Sequence, residues 1–178
     1  MLGSHNTFTY KSAKWKIFNL FSNFWRCQDK TIDEQYNLGV RYFDIRVRKI
    51  KDGYQICHGI IDVKRIFMSL DEICYYIGLN YPNSTFRLVL ERGDTTDFLN
   101  SVDRLKNYDN LDEIIIKKPW TSIYLREGAL PIKEYSFEDW TWKNLFKCLY
   151  KNLIKNKEKI SITEALRDNT TIHLMDYV

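Results

Sequence analysis

Gly39-Val40-Arg41-Tyr42-Phe43-Asp44-Ile45-Arg46-Val47-Arg48 is the stretch from which the fold can be read. Val40 to Val47 is short and rich in β-branched and aromatic residues, as a strand requires. Charges nonetheless recur at Asp44, Arg46 and Arg48, alternate positions that a strand places on one face. Charge on a central strand is costly unless it is paired or used. The pattern therefore fits an internal ion pair or a solvated edge strand. It fits equally a polar layer facing a ligand, with a guanidinium offering its fork of donors to a phosphate.

Working outward, Thr31 to Leu38 has a helix start at Thr31 with Glu34 three residues on, a capping-box spacing, and Gly39 where a C-cap is wanted. Ser69 to Ile77 repeats the signature with Ser69, Glu72 and a following Gly78, and Thr96 to Tyr108 and Glu138 to Lys155 are further helical candidates. Between them lie the apolar runs Tyr54 to Cys57, Phe86 to Leu90, Ile114 to Ile116, Ser122 to Leu125 and Ile172 to Val178. Several are apolar nearly throughout, which suits strands covered on both faces of a parallel sheet. Strand then helix, repeated, reads as α/β. No internal repeat, low-complexity tract or linker splits the chain, and Lys151 to Lys159 reads as a solvated helix face and loop. One domain over 1–178 is expected.

The composition bounds the function classes. In 178 residues, 44% are hydrophobic, with only seven Gly and three Pro, which excludes disorder and collagen-like structure. The formal charge of +4 is mild and the charges are interleaved, so nucleic-acid binding is not implied. Cys27, Cys57, Cys74 and Cys148 lack CxxC or other metal-ligand spacing and read as free, mostly buried thiols. The chain begins with polar Ser4, His5 and Asn6 soon after Met1, and no apolar run approaches about 18 residues. No secretory or membrane-spanning segment is read. The cytoplasm is the literal inference, with a mature secreted form or a fragment left open.

Two of the three histidines, His5 and His58, sit where strand-like segments meet turns. Each can serve as acid or base near neutral pH, and strand ends are where parallel α/β folds gather catalytic groups. Glu91 and Arg92 follow the Phe86 to Leu90 run, and Asp176 lies inside an apolar terminal run, where an ionised carboxylate calls for a cationic partner such as a protonating histidine. His173 reads as a structural histidine at a strand start.

These features occur in an order that is itself informative: Gly3-Ser4-His5-Asn6-Thr7, then Cys27-Gln28, then Thr31-Ile32-xx-Gln35-xxx-Gly39 leading into Asp44-Ile45-Arg46, then His58-Gly59, then Met175-Asp176-Tyr177-Val178. The series resembles the phosphatidylinositol-specific phospholipase C X-domain family, nearer its bacterial branch. The resemblance spans most of the chain and is densest up to Gly59. It implies an irregular TIM-like (β/α) barrel and a phosphoric diester hydrolase of the lyase type. The expected reaction cleaves phosphatidylinositol, free or as a GPI-type anchor, to diacylglycerol and inositol 1,2-cyclic phosphate. His5 would be the general base on the inositol 2-hydroxyl and His58 the acid for the leaving diacylglycerol oxygen. Asp176 would orient His5, and Asp44 and Arg46 would complete the catalytic set. Arg46, Glu91 and Arg92 would contact substrate.

The resemblance divides over calcium. Asn6 matches the calcium-type pattern of eukaryotic members and Glu91 falls near one of their ligand positions, while Asp44-Ile45-Arg46 matches the metal-free pattern. A fixed positive charge at Arg46 would repel the ion, so no cofactor is expected. Were calcium bound, Asn6, Asp44 and Glu91 would be its first ligands. The segment Trp15 to Trp25 carries Trp15, Phe18, Phe21 and Trp25 beside Lys14 and Lys16. Its spacing suits core packing, or an interfacial anchor where bacterial relatives carry a short lipid-touching helix. The expected partners are thus a phosphatidylinositol-type lipid and a peripheral membrane surface, not nucleic acid, with the chain a monomer.

Length strains the resemblance, since such barrels typically need about 250 residues. A shortened barrel or a fragment is expected, and no later strand pair with basic residues for inositol is evident between Arg92 and Ile172. Arg126 is a poor substitute. The competing readings are a non-catalytic phosphoinositide-binding or interaction domain of the same fold, and a related barrel glycerophosphodiesterase.

Overall fold

The computed structural model describes residues 1–20, 22–117, 120–135, 161–176 and 178, without the side chains of 23, 24 and 135. Its centre is a nine-stranded sheet whose path runs β7-β6-β5-β2-β1-β9-β8. The strands are β1 (Leu2–Ser4), β2 (Tyr42–Ile50), β3 (Gly53–His58), β4 (Ile61–Phe67), β5 (Thr85–Arg92), β6 (Leu111–Lys117), β7 (Trp120–Tyr124), β8 (Ile132–Tyr135) and β9 (Ile172–Met175). Every pairing from β6 to β8 along this path is parallel, and β7 closes the other end antiparallel to β6. From Val47 onward β2 also pairs antiparallel with β3, and β3 with β4, while a register shift at Val47/Arg48 marks its pairing with β5.

The parallel strands explain the alternation first noticed in β2. Phe43, Ile45 and Val47, with Phe86, Leu88 and Leu90 of β5 and Ile114 and Ile116 of β6, belong to one apolar core. This core also takes Ile32 of α3 (Ile32–Asn37), Leu70, Ile73 and Ile77 of α4 (Leu70–Asn80), and Phe98 and Leu105 of α5 (Thr95–Leu105). The intervening residues Asp44, Arg46, Arg87 and Glu113 face the other way. The charges expected on one face of β2 at Asp44 and Arg46 thus lie on its concave face, which is buried yet charged. The sheet curls enough for Arg87 of β5 to meet Glu134 of β8 across it, although three strands separate them in the sheet order. Among the described residues β7 and β8 do not pair, so the barrel is a half-barrel. A cavity of about 650 Å³, lined by Glu113, Ser122 and Ile132, lies between the two ends.

The helix starts follow local chemistry. Thr31 accepts from the Glu34 N–H in a complete capping box, Ser69 accepts from Glu72, and Asp94 caps α5. A further box at Ser161 and Glu164 opens a short helix, α6 (Ile162–Arg167), where the sequence reading placed nothing. Gly39 has φ 97, as a helix end requires. Gly78 does not end its helix, which runs on to Asn80. A Cβ there would come within 3.2 Å of Asn110, so close packing explains that glycine.

Two strands were missed. β4 carries Lys64 and Arg65 on an outer strand that breaks the apolar run, and β8 is short and mixed in polarity. The helix expected over Glu138 to Lys155 lies outside the described residues, as does Cys148. Cys27, Cys57 and Cys74 are free and buried. Among the described residues no helix is long and apolar enough to cross a membrane.

The aromatic segment before Cys27 forms two short helices, α1 (Lys16–Leu20) and α2 (Ser22–Trp25). Its aromatics divide between core and solvent. Trp25 is only 2% exposed and donates its indole N–H to the Phe18 carbonyl at 2.8 Å. It belongs to the core, which corrects its assignment as a membrane anchor. Phe18 packs half-buried against the core, whereas Trp15 is 64% exposed and Leu20 81%. Phe21 lies outside the described residues.

Candidate active site

Parallel strands deliver their carboxyl ends to one rim. His5 follows β1 and Asp176 follows β9, while Glu91 and Lys117 lie at the ends of β5 and β6. Two buried glutamines fix this rim. Gln28 donates to the carbonyls of His5 (2.9 Å) and Met175 (2.8 Å) and accepts from the Val178 N–H, tying β1 to β9. Gln35 accepts from the Ser4 hydroxyl and donates to the carbonyls of Thr7 and Lys30. Asn6, in the left-handed region at φ 50, turns the chain so that its N–H reaches Asp44 Oδ2 at 3.0 Å.

The side chains converge on His5. Its Nδ1–H donates to Asp176 Oδ1 at 2.8 Å, and Nε2 accepts from Arg46 Nη2 at 2.5 Å. Arg46 also donates Nε to Asp44 Oδ2 (2.9 Å) and Nη1 to Glu91 Oε1 (3.1 Å). Lys117 Nζ lies 2.9 Å from both Glu91 oxygens, and Arg87 donates to Asp44 Oδ1 at 2.7 Å before meeting Glu134. Opposite, the His58 ring stands 6.5 Å from that of His5 at 84°, with Nδ1–H donating to the Trp25 carbonyl at 2.5 Å. That bond leaves His58 Nε2 as the nitrogen without a hydrogen bond among the described residues. Gly59, at φ 56, makes the two-residue turn from His58 back into β4.

These neighbours set the protonation states. Burial alone would raise the Asp44 carboxyl, but the Arg46 and Arg87 guanidinia outweigh it and hold the pKa well below the usual range. Burial and Arg46 push His5 down; Cys27 and the Asp176 carboxylate push it up and prevail, to about 9. Burial, then Asp176, raises the Cys27 thiol. The Arg46 N–H aimed at Nε2 opposes the rise of His5, since that bond needs a neutral ring. His58 is lowered by burial and by Arg46.

The structure thus brings His5, Asp44, Arg46, Glu91 and Asp176 into one hydrogen-bonded chain, with His58 facing it. Arg92 is not part of it. Its guanidinium turns to the β3–β4 hairpin, to the Ile60 carbonyl and to Asp62, which Arg48 also grips, so its placement as a substrate contact is corrected. His173 is buried in β9 and pairs with Asp168 at 2.7 Å. The sequence reading missed Arg87, Lys117, Glu134 and Cys27. Arg87 interrupts the apolar run Phe86 to Leu90, the same signal that exposed Asp44 and Arg46, whereas Lys117 only follows the run Ile114 to Ile116. The residues named for calcium do not fit that ion. Both Asp44 oxygens and the Glu91 carboxylate are taken by Arg46, Arg87 and Lys117, and the guanidinium bridging the two carboxylates fills the place an oxygen-bound cation would need.

No protein-family model matches the sequence, and no curated protein matches it. Among solved structures it is similar to the phosphatidylinositol-specific phospholipase C from Listeria monocytogenes, with 16% identity, 99% of this chain and 87% of that chain covered, and a TM-score of 0.53. Two structures of the Staphylococcus aureus phosphatidylinositol-specific phospholipase C align at 15% identity. One covers 97% of this chain and 70% of that one at a TM-score of 0.47, the other 100% and 85% at 0.48. The likeness is one of fold, and the expected incomplete TIM-like barrel is what the chain adopts.

Proposed function

We propose that residues 1–178 form a single catalytic domain, a phospholipase C that cleaves phosphatidylinositol or a GPI-type lipid at a membrane surface without a metal ion. The observation that carries this reading is the chain from Asp176 through His5 to Arg46, braced by Asp44 and Glu91, with His58 across a gap of 6.5 Å between ring centres. His5 Nε2 takes the proton of the inositol 2-hydroxyl, whose oxygen attacks the adjacent phosphorus. The bond to the diacylglycerol oxygen breaks as that oxygen takes a proton from His58 Nε2. Diacylglycerol and inositol 1,2-cyclic phosphate leave, and the same pair in exchanged roles opens the cyclic ester slowly with water.

Proton transfer supplies roughly 10²- to 10⁴-fold, so charge neutralisation must supply much of the remainder. Arg46 is suited to it. Its Nη2 now donates to the lone pair the base must use. A phosphate oxygen offers the same N–H an anionic acceptor, which places the guanidinium on the developing charge and frees Nε2 in one movement. Asp176 keeps the ring in the Nδ1–H tautomer and stabilises the imidazolium that forms. Exposed Trp15, Ile17 and Leu20, tied through Lys14 to the hairpin whose tip Ile60 is 75% exposed, supply an apolar rim for the bilayer. The test is hydrolysis of phosphatidylinositol vesicles in EGTA and in calcium, followed by ³¹P NMR. Equal rates with a cyclic first product are expected; no cleavage in EGTA overturns the metal-free reading, and no cleavage in either favours a binding module.

A further inference from the structure

The two arms of the curled sheet are joined by an ion pair as well as by the site at the rim. On one side of β1, strands β2 and β5 carry Asp44, Arg46 and Arg87; on the other, β8 carries Glu134 and β9 leads into Asp176. At the rim the arms meet through His5, which touches both Asp176 and Arg46. Two residues earlier along β2, Asp44 stands in register with Arg87 of β5, whose guanidinium reaches across the concave face to Glu134. Among the described residues β7 and β8 do not pair, so strand hydrogen bonds do not set the separation of the arms there. The Arg87–Glu134 ion pair spans it instead.

The groups between Glu134 and His5 are flat and rigid. Arg87 donates Nη2 to Glu134 and Nε to Asp44 Oδ1 at 2.7 Å. A guanidinium presents its donors in a fixed fork, so the first contact sets the direction of the second. The Asp44 carboxylate is planar and buried; with Oδ1 held by Arg87, its Oδ2 meets Arg46 Nε at 2.9 Å and the Asn6 N–H at 3.0 Å. Arg46, a second fork gripped at Nε, points Nη2 at His5 Nε2. Both guanidinia and Asp44 are buried, so a swing of any of them would leave charge without a partner, which is costly. Glu134 differs. Its side chain is 25% exposed and lines the cavity between the sheet ends, so it can be replaced without stranding a buried carboxylate.

We propose that Glu134 and Arg87 are positioning residues, a clamp across the open sheet that holds Asp44 so that Arg46 is aimed where His5 and the reacting phosphate meet. Neither touches substrate: Glu134 acts through Arg87, and Arg87 through Asp44. The effect on turnover rests on the phospholipase reading, whereas the aim of Arg46 at His5 rests on the geometry alone. Slackening the clamp lets the Asp44 carboxylate turn and carries the Arg46 donor off its target. A displacement of about 1 Å at a catalytic group can cost roughly 10²-fold in rate. Because that donor serves charge developing in the transition state, the loss falls on kcat and not on KM.

Steady-state turnover of a soluble inositol phosphodiester by the full chain, with Glu134→Ala, Arg87→Gln and the double variant each checked for folding by circular dichroism, tests the clamp. The double variant removes one charge of each sign, which guards against misfolding of Arg87→Gln alone. Glu134→Ala should lower kcat about 10- to 100-fold with KM little changed, and Glu134→Gln, which keeps an oxygen acceptor for Arg87, should recover part of the loss. The double variant should be no slower than Arg87→Gln, because Glu134 reaches the site only through that residue. A wild-type kcat in folded Glu134→Ala, or losses that multiply in the double variant, overturns the clamp. ¹⁵N NMR of the histidines gives a reading free of activity, taken above the His5 pKa of about 9, where the ring is neutral. In Glu134→Ala the His5 Nε2 resonance should move toward that of a nitrogen without a donor, while Asp97→Ala, remote from the clamp, leaves it in place. An unmoved resonance in Glu134→Ala overturns the clamp. A moved resonance in a protein that cleaves no phosphodiester leaves the clamp standing and overturns the phospholipase reading instead.

Discussion

The Arg46 guanidinium is shared among Asp44, Glu91 and His5, so its removal leaves two buried carboxylates short of a partner. Arg46→Met should therefore cost about 3 kcal/mol in urea unfolding, as well as turnover; a loss below about 1 kcal/mol would show that Arg87 and Lys117 suffice. Asp176→Asn should keep the fold and lower kcat roughly 10²- to 10⁴-fold. The pH profile follows from opposite displacements of the two histidines. The base must be neutral although His5 is raised to about 9, and the acid must be protonated although His58 is lowered below 6.5. The two fractions change in opposite senses between these values, so kcat/KM should be flat there, falling on the acid side below the His58 value and on the alkaline side above about 9. Asp176→Asn removes an upward push and should bring the alkaline limb to lower pH. A profile still rising beyond 9 would contradict this. The raised His5 also contributes stability present below about 6.5 and lost as pH rises through about 9. Asp44 and Arg46 could be read from sequence because charge is conspicuous inside an apolar run. Cys27 and Glu134 could not, because their partners come from strands far away in sequence.

At the level of elements, the strands and helices that carried their own signal could be read: the apolar runs of β2 and β5, and the caps at Thr31 and Ser69. β4 and β8 are set by pairing to neighbours and not by their own composition. The Trp15 to Trp25 segment shows the limit of spacing as a guide. A helical period cannot tell which face is covered, and the structure buries Trp25 while leaving Trp15 out. Trp15→Ala should accordingly weaken binding to phosphatidylinositol vesicles and spare turnover of a soluble substrate, measured by vesicle sedimentation beside a spectrophotometric assay; equal loss of both would sink the interfacial role. Gln28 joins β1 to β9 through three hydrogen bonds. Gln28→Leu strands those backbone groups and should cost about 3 kcal/mol in chemical denaturation. A neutral effect would mean that the rim is held by packing alone.

For the whole molecule, the α/β class was accessible from the alternation of runs and helices, the TIM-like barrel from the family resemblance, and its incompleteness from the length. The curl was not, because it depends on contacts such as Arg87 with Glu134 that cross the sheet. The half-barrel nevertheless keeps the parallel core on which the rim depends, so that His5, Arg46, His58 and Asp176 stand together although β7 and β8 do not pair among the described residues. The proposed chemistry depends most directly on the paired histidines. Initial rates of phosphatidylinositol cleavage in EGTA should be measured for the wild type, His5→Ala and His58→Ala. Turnover by the wild type, and a fall of roughly 10²-fold or more in each variant, is the result predicted; full activity in either variant, or an inert wild type, would contradict it.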